Sequence, residues 1–371
     1  MKRNILVSLI SNETIPNVQL IKEFRSDIDD YVFVYTKEMI SQLSWVKTVT
    51  GIVNSTDLLI DPFDLKAMED ELKNKEFGDH NYVLNLTGGT KPMIIAFYDF
   101  FRNLGATIYY LTGKKFEYIK VFPAIGNRKL SLTTKISLDE YFKAYGFNTR
   151  YSTLVRDKLS AIKIKEYFVA NDMDRMQLQV SKIREKRGKK LDFRNDLSLQ
   201  NFIDEIGFIP KEAGVLAKEE TKYLSGDWFE EFVYYSIKDE LRLEDSDIAT
   251  GMQIEKQNTP NELDIAFIHE NKLFIIECKT SILESQIRPD GKSKERNLLP
   301  EVIYKSDALR NKFGIFAKTF ILTLDEIKDI NNIPKDRFKA SFDRAELSRI
   351  SILSKRDFLS NDGFREMLRI N

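Results

Sequence analysis

Short apolar runs bounded by polar or turn-forming residues punctuate the first third of the chain. Ile5-Leu6-Val7-Ser8-Leu9-Ile10 reads as a buried strand, Tyr31–Thr36 as a second and Tyr82–Leu86 as a third. A helix is predicted over 92–103, followed by a strand at 106–111. Strands alternating with helical stretches imply a parallel, doubly wound sheet. The segment 116–122 follows the turn Thr112-Gly113-Lys114-Lys115 and is expected to pair antiparallel at an edge. From 137 to 222 the pattern is mainly helical and polar, with no strong strand. Its most charged piece, 182–190, is expected to be a solvated face rather than a phosphate contact. From 223 onward the pattern predicts a helix, then a hairpin of 262–268, a turn at 269–272 and 273–279. The expected division is therefore 1–145, a connector at 146–222, and a compact α/β domain at 223–371.

A chain of 371 residues exceeds what one small core usually holds, which agrees with this division. The longest apolar runs, such as Leu273–Ile276, are strand-sized, so no membrane span is expected. The opening residues Met1–Val7 are read as a folding strand rather than a signal peptide, because the apolar stretch breaks at Ser11-Asn12-Glu13. The single cysteine, Cys278, forms no intramolecular disulfide and suits a reducing cytoplasm. A formal net charge of zero argues against a protein that coats nucleic acid, yet it leaves room for local basic patches. With only His80 and His269, a Ser-His-Asp hydrolase, a paired-histidine ribonuclease or a multi-histidine zinc site must draw on these two or fail. Hydrolysis here would run on carboxylates, lysine and a bound metal.

Glu277 and Lys279 are two apart on an apolar strand, so both project to one face. Asp264 interrupts the other apolar strand of the hairpin and folds back near Glu277. Two such carboxylates repel unless a cation lies between them, and oxygen ligands suit magnesium or manganese. Upstream, Gly226–Tyr234 reads as an amphipathic helix carrying Glu230 and Glu231. This order, ending in Glu277-Cys278-Lys279, resembles the PD-(D/E)xK phosphodiesterase superfamily. The "PD" half is degenerate, since Asn261-Glu262-Leu263-Asp264 keeps only the aspartate. The resemblance implies metal ligation by Asp264, Glu277 and Glu230, with Glu231 as fallback, and a charge-stabilising role for Lys279. Arg288–Arg296 forms a basic loop beside this face, with Tyr304 and Lys305 on the next helix.

The stretch Asn85-Leu86-Thr87-Gly88-Gly89-Thr90-Lys91 joins a strand to a helix, where backbone amides and glycines favour anions. It is neither a Walker A loop nor a dinucleotide fingerprint. A second loop, containing Ser11, Asn12, Thr14, Ile15, Pro16 and Asn17, follows the first strand and would share the same sheet edge. This pair of loops looks like the CARF sensor domain of type III CRISPR ancillary proteins, and the whole layout is similar to the Can and Card effectors. That resemblance implies a Rossmann-like CARF domain, a mainly helical connector (winged-helix-like in one version), and a restriction-endonuclease-like domain. It also implies a homodimer binding cyclic tetra-adenylate through both loops, and metal-dependent cleavage of single-stranded RNA or DNA in antiviral defence. The competing expectation is a CARF-linked regulator that binds nucleic acid without cutting it.

Overall fold

The computed structural model describes every residue except 1, 76, 114–115, 127, 152–157, 171–172, 288–292, 360–362 and 370–371. In the N-terminal part, strands and helices alternate as β1 (Asn4–Leu9), α1 (Ile15–Glu23), β2 (Asp30–Tyr35), α2 (Ile40–Thr50), β3 (Thr56–Leu59), α3 (Leu65–Asn74), β4 (Asn81–Asn85), α4 (Lys91–Asn103) and β5 (Thr107–Leu111). β6 (Glu117–Phe122) and β7 (Lys129–Ser131) follow. The sheet order is β3-β2-β1-β4-β5-β6-β7, with β1 to β5 parallel and the last two antiparallel. Central strands covered by helices on both faces need apolar residues on both faces, hence the near-continuous runs of β1 and β2. Two expectations change. β3 was not foreseen, because Thr56-Asp57-Leu58-Leu59 is short and buries only Leu58. The 116–122 strand does pair antiparallel, but β7 lies outside it and forms the edge.

The middle of the chain contains α5 (Leu138–Ala144), β8 (Asn148–Arg150), α6 (Lys158–Ala170), α7 (Met173–Glu185), β9 (Leu191–Asp192), α8 (Leu197–Glu205), β10 (Val215–Leu216) and α9 (Lys218–Lys222). After a π-helical turn at Tyr223–Asp227 come α10 (Trp228–Leu241), β11 (Ile248–Lys256), β12 (Thr259–His269), β13 (Lys272–Lys279), β14 (Leu283–Ile287), β15 (Ser293–Asn297), α11 (Leu299–Arg310), β16 (Lys318–Thr323), α12 (Lys339–Leu347) and β17 (Ile350–Leu353). The second large sheet runs β17-β16-β13-β12-β11-β8. The connector therefore supplies an edge strand, β8, where the sequence pattern suggested none. Part of the expected basic loop is also strand: 293–296 belongs to β15, paired with β14, and Arg288 lies outside the described residues.

Two cores sandwich this second sheet. On one side Ala161, Ile164 and Phe168 of α6 pack with Trp228, Phe229 and Val233 of α10 over Ile265, Phe267, Phe274 and Ile276. Phe168 stacks on Trp228 at 4.6 Å between ring centroids, so the connector helices are part of the C-terminal body's core. On the other side, α5 is a wedge. Tyr141, Phe142 and Tyr145 pack with Ile10, Ile15 and Val18 of the first sheet's layer and with Leu273, Ile275, Leu309 and Phe313 of the second. Burying large side chains of this kind stabilises by about 1.5–3 kcal/mol each, so this shared core binds the two bodies together. The β12–β13 turn is tighter than expected: only Glu270 and Asn271 lie between the strands, both with positive φ (49° and 55°), as a two-residue primed hairpin requires. Asn271 also clamps the chain before α5, accepting from Ile136 N and donating to Thr134 O, both at 2.8 Å.

Candidate active site and sensor loops

The β12–β13 pairing ends at Ile265 and Ile276, and Asp264 and Glu277 are the next residues on the two strands. Side chains on directly opposed residues share a face, so the carboxylates converge as the hairpin pattern required. The structure shows this through Lys279, whose Nζ lies 3.1 Å from Asp264 Oδ2 and 2.7 Å from Glu277 Oε1. Asp264 Oδ2 also accepts from Cys278 N at 2.8 Å, which fixes its orientation. A second ammonium reaches the cluster from α11: Lys305 Nζ lies 3.2 Å from Glu277 Oε1. Tyr304, its neighbour, instead carries the Arg344 guanidinium of α12 over its ring at 4.6 Å.

Glu230 and Glu231 both lie in the first turn of α10, but their environments differ. Glu231 is buried and accepts from the Tyr223 hydroxyl at 3.1 Å, a packing role within the π-helical turn. Glu230 has its carboxyl pushed up to about 9 by burial first and then by the negative charges of Asp264 and Asp227. That coupling brings Glu230 into the electrostatic reach of the hairpin carboxylates. The Asp264 carboxyl is pushed up to about 6, chiefly by burial and then by Glu277, against the pull of Lys279. Burial alone would lower the Lys279 ammonium, but the Asp264 and Glu277 charges outweigh it and hold it above its usual value.

Among the described residues, no three acidic, histidine or cysteine side chains stand close enough together to hold a metal ion as they are. The chemistry of the donors nevertheless fits a hard divalent cation: two buried carboxylates share one positive charge and offer oxygen, and Glu230 interacts electrostatically with one of them, Asp264. The arrangement is a closed one, in which lysines neutralise the carboxylates.

The two N-terminal loops meet at the C-terminal ends of β1 and β4. A side chain on Gly88 would put its Cβ 2.1 Å from Leu9 O, so only glycine allows the loops this approach. Gly89 adopts φ +85°, and Thr90 caps α4, accepting from Met93 N and donating to Pro62 O. Thr87 accepts from Leu111 N at 2.9 Å. Lys91 is exposed at the first turn of α4. In the other loop Ser11 is half-buried and Asn12 exposed, whereas Thr14, Ile15, Pro16 and Asn17 are buried. Thr14 donates to Ala144 O at 2.5 Å, and Asn17 donates to Leu9 O at 3.0 Å. Those residues shape the loop from within. Around them Ser8 Oγ, Asn17 Oδ1 and Asn85 Nδ2 are buried polar atoms with no hydrogen-bond partner among the described residues. Such atoms are costly unless a ligand or water meets them.

Two family models match the chain. Residues 5–141 match the Card1 CARF domain, and residues 217–354 match the Card1-like endonuclease domain. The chain thus carries a CARF domain of Card1 type followed by a Card1-like endonuclease domain. No curated protein matches it. Among solved structures, Can2 from Sulfobacillus thermosulfidooxidans in complex with cyclic tetra-adenylate superposes with TM-score 0.70 and 21% identity over 94% of this chain and 95% of that one. Protein VC1899 from Vibrio cholerae gives TM-score 0.72 and 16% identity over 95% and 94% of the two chains. A type III CRISPR defence DNA nuclease activated by cyclic oligoadenylate gives 0.53 and 15%, over 93% of this chain and 52% of that one. At these identities the likeness is one of fold.

The CARF and endonuclease domains are in direct contact. Glu13, in the CARF loop, accepts from the Tyr145 hydroxyl of the linker at 3.1 Å and from Ile315 N of the endonuclease domain at 3.4 Å. Tyr141 donates to Phe313 O at 3.0 Å. The 311–317 segment so held follows α11, the helix that carries Lys305. Sequence reasoning passed over Glu13 in favour of its neutral neighbours. Its partners lie 132 and 302 residues away, so no local signal marks it.

Proposed function

We propose that this protein is a nuclease gated by a cyclic oligoadenylate, acting in type III CRISPR antiviral defence. The observation that carries the reading is the convergence of Asp264, Glu277 and Lys279 on one face of the endonuclease hairpin, in a chain that also bears a CARF domain. Cyclic tetra-adenylate is the proposed activator, supported by the bound ligand of Can2 and by the unpartnered polar atoms beside the CARF loops. Ser11, Asn12, Thr87, Gly88, Gly89, Thr90 and Lys91 would meet it, while Thr14, Ile15, Pro16 and Asn17 hold the loop's shape. A ring with its own two-fold symmetry suits a homodimer, with one CARF domain on each side.

Asp264 and Glu277, with Glu230, would hold manganese or magnesium, the hard cations their oxygens favour. Such an ion supplies Lewis-acid polarisation of the scissile phosphate and a more acidic bound water. Lys279, held by both carboxylates, would stabilise negative charge developing on the phosphate oxygens. Cys278 N, donating to Asp264 Oδ2, would keep that carboxylate in place. The expected substrate is single-stranded RNA or DNA, and the expected compartment the cytoplasm.

The test is cleavage of labelled single-stranded RNA and DNA by the full-length protein, with and without cyclic tetra-adenylate and manganese. Glu277→Ala should lower the activated rate by about a thousandfold or more, because it removes a ligand used in the transition state. Unchanged cleavage by that variant would sink the assignment.

A further inference from the structure

Glu277 carries more positive charge than the hairpin alone supplies. Its Oε1 lies 2.7 Å from Lys279 Nζ and 3.2 Å from Lys305 Nζ, and its Oε2 lies 3.5 Å from Lys305. The two lysines are not equivalent. Lys279 bonds both Asp264 and Glu277 and its side chain is 32% exposed, whereas Lys305 meets only Glu277 among these carboxylates and is 46% exposed. Lys279 is anchored on β13 beside Glu277; Lys305 reaches Glu277 from α11 on a flexible four-carbon stem.

Charge balance makes the difference matter. Asp264 and Glu277 together bring two negative charges, which Lys279 and Lys305 already balance. Adding a divalent cation between these carboxylates would leave the cluster net positive even with Glu230 ionised, so withdrawal of one ammonium favours the ion. Lys305 is the one that can leave without breaking the hairpin's own network. Freed from Glu277, its ammonium remains within a stem length of the site and half-open to solvent, where a substrate phosphate approaches.

We propose that Lys305 is a positioning residue that exchanges partners: it neutralises Glu277 before metal arrives and then pairs with a phosphate of the nucleic-acid strand. This rests on the metal-nuclease reading above. In its first role Lys305 opposes metal binding, and in its second it favours substrate binding. One substitution should therefore move the two affinities in opposite directions, which loss of packing would not do.

The experiment titrates manganese into the full-length protein without nucleic acid, comparing wild type, Lys305→Met, Lys305→Arg and Glu277→Gln. Lys305→Met should bind manganese about tenfold more tightly, because a nearby positive charge is removed, and Lys305→Arg should stay near wild type. Cleavage of a single-stranded oligonucleotide at saturating manganese and cyclic tetra-adenylate should then show KM about tenfold higher for Lys305→Met, with kcat less affected and KM restored in Lys305→Arg. Unchanged or weaker manganese binding by Lys305→Met overturns the exchange, and an unchanged KM overturns the phosphate contact. A different failure marks the underlying reading: wild type and Glu277→Gln binding manganese equally poorly removes the metal site itself, and the exchange with it.

Discussion

Replacing Glu13 with alanine tests whether the CARF loop speaks to the endonuclease domain through a specific contact. One carboxylate oxygen, Oε2, accepts from the Tyr145 hydroxyl at 3.1 Å and from Ile315 N at 3.4 Å. Hydrogen bonds to a charged acceptor contribute about 1.5–3 kcal/mol each, but the second is long and Glu13 is only half-buried, so about 1–2 kcal/mol in total is reasonable. Tyr145 is buried, and its hydroxyl is held well above its usual pKa chiefly by that burial, so it loses a partner it cannot replace with bulk water. If this contact carries the coupling, the ratio of activated to basal cleavage should fall about 5- to 30-fold. The assay measures both rates, together with the affinity for cyclic tetra-adenylate by direct titration, so that loss of binding is separated from loss of coupling. Gly314→Ala approaches the same contact from the other side. Gly314 has φ +80°, and a Cβ there would lie 2.2 Å from the Tyr145 hydroxyl and 2.3 Å from Glu13 Oε2. Both variants should uncouple in the same sense. Folded variants with an unchanged activation ratio would refute the idea, leaving the contact as mere packing.

Three further outcomes are expected. Gly88→Ala, whose Cβ would lie 2.1 Å from Leu9 O, should weaken cyclic tetra-adenylate binding by at least about tenfold in a titration while leaving manganese affinity unchanged. Trp228→Ala should destabilise the fold by about 3–5 kcal/mol, read as a lower midpoint in urea, because it empties the stack with Phe168 in the core under the active hairpin. Cys278, buried and with its thiol pushed well above the usual range chiefly by that burial, should resist thiol reagents in the folded protein even at pH 9. Labelling as fast as in denaturant would contradict that burial.

The parts of this molecule that were legible in its sequence are those where one local pattern answers to one physical demand. Apolar runs of strand length specified β1, β2, β4, β5 and the β12–β13 hairpin, because a buried strand needs that pattern wherever it lies. Period two along β13 put Glu277 and Lys279 on one face, and the hairpin fold set Asp264 opposite them. What stayed hidden depends on partners far away in sequence. β8 is three residues of ordinary polarity, and it is a strand only because β11 offers it an edge. The charged run at 182–190 is largely solvated, as its composition suggested, but two of its arginines have distant partners that composition does not show: Arg184 donates to Thr280 beside Lys279, and Arg187 binds Ser225 and Asp227 in the π-helical turn. Glu13 follows the same rule, an unremarkable charge until another domain faces it, whereas Lys305 was legible as a neighbour of the site but its pairing with Glu277 was not. Local periodicity thus reports the proposed catalytic carboxylates, which the hairpin alone aligns. The contacts that would control them join elements which only the folded chain brings together, and so control must be sought in the tertiary structure.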